Sequence, residues 1–161
     1  MAKELPSHLL NEWDYQKNHD VDPSTISGGS GRSFYWVCSL GHSWKAVVKN
    51  RSKGTGCPYC SGTKVLTGFN DLATVHPELL QEWYYDKNSK EPTEVNYGSS
   101  KKAFWKCSQG HSWQAHIHSR RNGHGCPYCS GNRAITGVND FSTTYPELAQ
   151  EWDHERNELS P

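Results

Sequence analysis

The chain has few of the aliphatic residues that build a large hydrophobic core. Only 34% of its 161 residues are hydrophobic, and a single Met is present. The mean hydropathy is -0.87. A small domain with so little apolar surface usually needs a metal or disulfide bonds in order to fold. The composition therefore predicts a cross-linked fold instead of one large packed core.

Long apolar segments are also missing. No run approaches the ~20 residues that a membrane-spanning helix requires. The opening sequence, MAKELPSHLL, lacks the apolar region of a signal peptide. We therefore expect an intracellular, cytoplasmic protein with no membrane partner. This expectation argues against three disulfides among the six cysteines, because disulfides persist in oxidising compartments.

An internal repeat organises what is present. The sequence WVCSLGHSW at 36–44 returns as WKCSQGHSW at 105–113, and GTGCPYCSG at 54–62 returns as GHGCPYCSG at 123–131. Both pairs are offset by 69 residues. A shorter acidic segment occurs three times, as NEWDYQKN, QEWYYDKN and QEWDHERN. The chain is thus two similar modules placed between three acidic, Trp-containing segments.

Every cysteine belongs to a set that a histidine completes. The spacing Cys-x3-His, fourteen residues, then Cys-x2-Cys occurs twice. Zinc takes four such ligands at tetrahedral corners, and four protein ligands are typical of a structural site. A redox Cys-x-x-Cys pair would need no additional Cys-His pair. The predicted ligands of two structural zinc ions are Cys38, His42, Cys57 and Cys60 in the first module and Cys107, His111, Cys126 and Cys129 in the second.

The local patterns predict hairpins and short helices. Aromatic runs at 34–38 and 103–107 favour strands, and each is followed by alternating residues with Trp44, Ala46 and Val48, or their counterparts, facing inward. Proline at the first helical position predicts short helices at 77–83 and 146–152. Helix capping is the simplest role for the pairs Asn70-Asp71 and Asn139-Asp140.

These elements predict a small metal-stapled α+β fold, with two tandem zinc-ribbon-like β-hairpin modules linked by short helices. A treble clef is the alternative. It would place the second Cys pair at a helix start, whereas Cys60 is followed by Ser-Gly, so the ribbon is preferred. The predicted divisions are an N-terminal helical segment at 1–22, zinc module 1 at 23–70, a linking helix at 71–94, zinc module 2 at 95–139 and a C-terminal helical segment at 140–161.

Acidic residues are absent from both modules, between Pro23 and Asn70 and between Val95 and Asn139. Each module carries six Lys and Arg residues, and a Cys3His zinc site adds about −1. A basic surface bearing aromatic residues is typical of phosphate binding. We therefore predict that DNA or RNA is the partner. The predicted contacts are Lys45, Lys49, Arg51 and Lys53 in module 1, and Lys101, Lys102, Lys106, His116, His118, Arg120 and Arg121 in module 2. Lys45 and Lys49 are expected on the solvent face of their strand, with His116 and His118 also facing outward. A surface position on the glycine-rich loop before the second Cys pair is expected for Arg51, Lys53, Arg120 and Arg121.

Other roles compete with this hypothesis. The acidic segments could simply neutralise the basic modules, which would favour a protein-interaction or scaffold module with purely structural zinc. The four module tryptophans, Trp36, Trp44, Trp105 and Trp113, fit a core better than a base-stacking platform. No phosphate-binding loop or nucleophile motif is present, and His116 with Asp140 is only a loose catalytic pair. We therefore expect neither enzymatic activity nor a small-molecule substrate.

The combined pattern resembles a known family. It consists of W-x-C-x-x-G-H-x-W, then R-x-x-G-x-G-C-P-Y-C-S-G, then G-x-N-D-[LF] with P-E-L-x-x-E-W. This is similar to the zinc-ribbon or treble-clef zinc-finger tandem-repeat family, long described only as a domain of unknown function. The resemblance covers nearly the whole chain and implies tandem zinc modules. It also implies an association with endonuclease-like domains and mobile-element proteins, which favours an accessory role in DNA processing.

Overall fold

The computed structural model describes residues 4–158 and divides the chain into two compact units, Met1–Asn70 and Asp71–Pro161. The first unit contains α1 (Ser7–Leu10), a 3-10 helix (Pro23–Thr25), β1 (Ser33–Val37), β2 (Ser43–Val47) and α2 (Val48–Ser52). The second contains α3 (Leu72–Val75), two 3-10 helices (Pro77–Glu82 and Pro92–Glu94), β3 (Lys102–Lys106), β4 (Ser112–His116), α4 (Ile117–Arg121), α5 (Phe141–Thr144) and α6 (Pro146–Ala149). Across residues 4–158, no helix has the length and apolar character needed to cross a bilayer.

Each unit is built around one antiparallel β-hairpin. Trp36 pairs with Trp44 across the first hairpin, and Trp105 pairs with Trp113 across the second. All four indoles are at most 6% exposed, so their predicted place in the core is confirmed. The indole N–H of Trp36 donates to the Ala46 carbonyl at 3.0 Å, which satisfies its polar edge inside the core.

The predicted second strand ends earlier than its alternating pattern suggests. Val48 and Ile117 are buried as predicted, but each is the first residue of a helix, α2 or α4. The Val48 N–H still donates to the Arg32 carbonyl at 3.0 Å. The hydrogen bonding of the hairpin therefore extends to the first residue of the helix, whose side chain is buried like those of the inward-facing strand residues. Lys49 therefore lies on a helix and not on the solvent face of a strand, which corrects its predicted position.

The acidic segment before each module completes that module's core. The Glu12 carbonyl accepts from the Val37 N–H at 2.7 Å, which attaches the first segment to the edge of β1. Trp13 is 1% exposed and meets Trp36 edge-on, with ring centroids 5.3 Å apart. Trp83 meets Trp105 in the same way at 5.2 Å. The first segment thus folds within unit 1, and the predicted linking helix consists of three short helices within unit 2.

Aspartate capping occurs where it was predicted. The Asp71 carboxylate accepts from the Thr74 N–H at 2.9 Å at the start of α3. The Asp140 carboxylate does the same for the Thr143 N–H at the start of α5. These bonds satisfy amide groups that have no partner inside the helix.

Candidate metal centres

The first two ligands of each site lie on the turn of the hairpin. In unit 1 the Cys38 N–H donates to the His42 carbonyl at 3.1 Å, and the Gly41 N–H donates to the Cys38 carbonyl at 2.9 Å. Gly41 has φ 80, a left-handed conformation that favours glycine. The Cys-x-x-Gly-His sequence therefore folds back on itself and directs both side chains to one point. Cys107 and His111 repeat this arrangement in unit 2.

The other two ligands come from a turn that follows the hairpin and its short helix. The Cys57 carbonyl accepts from the Ser61 N–H at 3.1 Å, which closes the turn that carries Cys57 and Cys60. Asn70 braces this turn from outside. Its amide donates to the carbonyls of Tyr59 and Lys64 at 2.8 and 2.9 Å, while its oxygen accepts from a backbone N–H.

Asn70 and Asn139 are therefore braces of the cysteine turn and not helix caps, which corrects their predicted role. Asn139 makes the corresponding bonds to Tyr128 and Arg133 in unit 2. Capping belongs to the following aspartate alone. The repeat showed that both asparagines recur at one position, but it did not show which backbone groups they contact.

The eight predicted ligands converge into two groups, each with its ligand atoms within 4.8 Å of one another. A tetrahedral zinc ion with Zn–S near 2.3 Å needs sulfur atoms about 3.8 Å apart and sulfur–nitrogen distances of about 3.6 Å. Cys38 Sγ lies 3.7 Å from Cys60 Sγ. His42 Nδ1 lies 3.3 to 3.8 Å from the three cysteine sulfurs. The donor set fits zinc, with Nδ1 as the histidine ligand atom.

The second group has the same dimensions. Cys107 Sγ lies 3.8 Å from Cys129 Sγ. His111 Nδ1 lies 3.4 to 3.7 Å from the sulfurs of its three cysteines. Four protein ligands fill the coordination shell of each ion, so these are structural sites and not sites with an open position for substrate. The chain thus holds two Cys3His groups that fit two structural zinc ions.

Thiol chemistry explains why each cluster requires a cation. Loss of hydration, followed by the nearby Cys57 and Cys38 thiols, raises the pKa of Cys60 to about 12. Loss of hydration also acts on Cys38, but backbone N–H groups of the turn and hydrogen bonds with the Cys60 and Cys57 thiols together outweigh it and lower the pKa of Cys38. Three thiolates cannot coexist at this distance unless a positive ion balances them. Zinc supplies that charge, and its binding releases the protons.

Arg51 was predicted to contact nucleic acid from a surface loop, and this prediction is wrong. Its side chain is 3% exposed and lies in α2. The guanidinium forms an ion pair with Glu12, donates to the Thr55 carbonyl and lies 5.2 Å from the rings of both Trp36 and Trp44.

The prediction for Arg120 is wrong for the same reason. Its side chain is 4% exposed, and it forms an ion pair with Glu82 and donates to the His124 carbonyl. Its guanidinium lies over the rings of Trp105 and Trp113 at 5.1 and 5.3 Å. In both units this arginine joins the acidic segment to the module's core, so neither guanidinium is available to a phosphate.

The other predicted contact residues remain accessible. The exposed cations among them are Lys45, Lys49, Lys53, Lys101, Lys102, Lys106 and Arg121. His116 and His118 are half-buried, with ring centroids 5.3 Å apart. Each uses Nδ1 to contact a backbone carbonyl, Ser100 for His116 and Ser99 for His118. These histidines therefore help to anchor the loop before β3, although they were predicted to face outward.

One lysine that was not among the predicted contacts lies beside each hairpin. Lys17 Nζ is 5.4 Å from the centroid of the Tyr35 ring, and Lys87 Nζ is 5.7 Å from that of Phe104. Both belong to the acidic segments, so the comparison of charge between the segments and the modules did not single them out. The signal was present in the repeat, because both stand four residues after the segment's tryptophan.

Comparison with known proteins agrees with this geometry. No curated protein matches the chain. A family model described as "Probable Treble clef zinc finger domain" matches twice, at residues 9–63 and 79–132. Each match begins in an acidic segment and ends after the second Cys pair, so the family's unit includes the Trp segment.

The family description also decides between the two predicted folds. Cys60 is followed by turns. The ribbon was preferred because Ser-Gly follows Cys60, and the family description corrects that preference to a treble clef. The modules are two tandem treble-clef zinc fingers, each with a small hairpin, short helices and a Cys3His site. Because the two matches cover more than half of the chain and each contains a full ligand set, the chain belongs to this treble clef zinc finger family.

Proposed function

We propose that the two zinc fingers bind nucleic acid through the lysine and arginine side chains that the zinc sites hold in place, and that the chain has no catalytic role of its own. The observation that carries this proposal is the charge that stays exposed after folding. Without the buried arginine, each acid-free stretch retains five exposed cations: Arg32, Lys45, Lys49, Lys53 and Lys64 in unit 1, and Lys101, Lys102, Lys106, Arg121 and Arg133 in unit 2.

Ion pairs within the chain neutralise the two buried arginines but not the exposed module cations. Glu12 and Glu82 are the acidic partners of the buried arginines. Among the residues described, no ion pair is formed by any of the ten exposed module cations. This supports phosphate as their partner, because phosphate oxygens accept from Lys and Arg and release bound counterions.

Lysine and aromatic side chains lie together in both units, which also supports nucleic acid. Lys17 and Lys45 both lie within 5.5 Å of the Tyr35 ring. In unit 2, Lys87 and Lys106 lie 5.1 and 5.2 Å from the Tyr84 ring. Lys17 and Lys87 stand at equivalent positions of the acidic segments, whereas Lys45 and Lys106 do not correspond between the units. Aromatic rings flanked by cations are common where proteins bind single strands.

The proposal is tested by charge reversal at residues that do not support the fold. We expect the double variants Lys45→Glu/Lys49→Glu and Lys102→Glu/Lys106→Glu to weaken binding to DNA or RNA. The slope of log K against log salt should fall by about 1 for each phosphate contact that is lost. Fluorescence anisotropy with labelled single- and double-stranded oligonucleotides in a salt titration measures both quantities.

The matched control is Lys90→Glu, an exposed lysine in an acidic segment that undergoes the same change of charge. It should leave the affinity within about twofold of the wild type. Equal losses in the control and the module variants would show that only net charge matters. Absence of binding to every oligonucleotide at low salt would reject the proposal.

A protein partner is the second candidate. The observation that favours it is the apolar surface of the stretch that leads into the third acidic segment, where Val138, Tyr145 and Leu148 are more than half exposed. In the preceding copy of this segment Leu79 packs against the core of unit 2. A protein-binding module would show no salt-dependent affinity for DNA or RNA in the titration above.

A further inference from the structure

Unit 1 contains a small basic pocket beside its hairpin, apart from the zinc site. Its volume is about 370 Å³, and it lies between the loop before β1 and helix α2. The lining residues are Pro6, Ser27, Gly28, Gly29, Lys49, Ser52 and Lys53. Two lysines and two serines thus line one cavity, and no carboxylate is among the lining residues.

Ser52 provides the second observation. Its hydroxyl is buried and has no hydrogen-bond partner among residues 4–158. A buried hydroxyl without a partner destabilises a fold, so native proteins seldom leave one unsatisfied. Lys49 and Lys53 likewise form no ion pair within the same residues. The pocket therefore combines a buried hydroxyl without a partner and two lysines that no carboxylate neutralises.

The repeat shows that this pocket is particular to unit 1. Gly28 corresponds to Tyr97 at the offset of 69 residues. A Cβ added at Gly28 would lie 3.3 Å from Ser52 Oγ and 2.9 Å from the Glu4 carbonyl oxygen. A side chain at this position is thus excluded in unit 1, so no ring corresponding to that of Tyr97 covers the pocket.

The corresponding residues of unit 2 make contacts within unit 2. The Arg121 guanidinium, at the position of Ser52, lies 5.4 Å from the Tyr97 ring and donates from Nε to the Asn122 side chain. His118, at the position of Lys49, contacts the Ser99 carbonyl through Nδ1 at 3.3 Å. The same loop and helix are therefore closed by internal contacts in unit 2 and open in unit 1.

We propose that the pocket formed by Gly28, Lys49, Ser52 and Lys53 is a phosphate-binding site. Phosphate oxygens accept from ammonium and hydroxyl donors, and its negative charge matches a cavity lined by two lysines without a carboxylate. The phosphate belongs either to a nucleic-acid strand or to a free anion, since both present the same oxygens. The inference goes beyond the proposed function, because it assigns unit 1 a site for one phosphate group that unit 2 lacks.

The test is a titration of the zinc-loaded, ¹⁵N-labelled full chain with inorganic phosphate, at ionic strength held constant with sodium chloride. We expect saturable shifts at the amides of Gly28, Gly29 and Ser52. The variant Lys49→His/Lys53→Asn introduces the residues of unit 2 and should weaken phosphate binding at least tenfold. Ser52→Ala, which removes the unpartnered hydroxyl, should weaken it several-fold. The control Lys90→Gln removes an exposed lysine outside both acid-free stretches and should leave the phosphate affinity unchanged.

Absence of saturable shifts at these amides would overturn the inference, as would shifts that the Lys49→His/Lys53→Asn variant does not reduce. A second titration with a single-stranded oligonucleotide identifies the source of the phosphate. Shifts of the same amides assign the pocket to the strand, and their absence assigns it to a free anion. The affinity for the oligonucleotide tests the proposed function, so the two proposals can fail separately.

Discussion

Replacement of Cys57 by Ser is expected to unfold unit 1 and to leave unit 2 folded. Cys57 is 7% exposed and belongs both to the zinc site and to the hydrophobic cluster of its unit. Binding of structural zinc contributes about 10–16 kcal/mol, which is as large as the whole stability of a typical domain. The apolar core of unit 1 cannot replace that contribution, because this core contains only a few aromatic and aliphatic side chains.

The measurement is the dispersion of the ¹H–¹⁵N spectrum, in which the indole signals of Trp36 and Trp105 report on the two units separately. Cys126→Ser is the matched variant and should have the mirrored effect. Each unit has its own hydrophobic cluster, so loss of one should not spread to the other. A Cys57→Ser protein that keeps native signals for both indoles would contradict this prediction.

Replacement of Arg51 by Ala should have the next largest effect, a loss of about 2–5 kcal/mol in the free energy of unfolding of unit 1, as for the truncation of other large buried side chains. The substitution removes the ion pair with Glu12 and the bond to the Thr55 carbonyl, and it empties the space beside the indoles of Trp36 and Trp44. Urea unfolding of the zinc-loaded protein, followed by Trp fluorescence, measures the change.

Two further variants separate the origins of that loss. Arg51→Lys keeps the charge but lacks the planar fork that reaches two acceptors at once, so it should recover only part of the stability. Lys53→Ala removes an exposed cation and should change stability by no more than about 0.5 kcal/mol. An Arg51→Ala protein as stable as the Lys53→Ala control would show that the buried guanidinium has no structural role.

The role of this arginine also determines how nucleic-acid binding can be studied. Substitution of Arg51 or Arg120 by Glu would place an acidic group opposite Glu12 or Glu82 inside the core. Any loss of affinity would then report unfolding and not a lost phosphate contact. The exposed lysines are the informative positions for that reason.

Much of the fold was predictable because the repeat displays each essential residue twice. The zinc ligands, the paired hairpin tryptophans and the capping aspartates all recur at the same offset, and their chemistry allows few other roles. Zinc geometry needs four ligands at fixed spacing, and a helix start needs a short acceptor side chain. These requirements are local, so the sequence alone reveals them.

The residues that were wrongly placed are those whose environment depends on distant contacts. Arg51 meets Glu12 across 39 positions of sequence, so a count of charge by segment placed the two in different segments and did not reveal their ion pair. Lys17 was overlooked for the same reason, since it extends from an acidic segment to the hairpin ring of Tyr35. Asn70 contacts backbone carbonyls, which leave no trace in a side-chain pattern. Burial and pairing of polar side chains follow from tertiary packing and not from periodicity.

The zinc content of the intact protein tests the central claim, which is that each treble clef is held in its fold by its own zinc ion. Native mass spectrometry should show two zinc ions in the wild-type chain and one in either Cys57→Ser or Cys126→Ser, because each group supplies a complete ligand set. A folded wild-type protein with no bound metal, or a single-site variant that loses both ions together, would contradict the account.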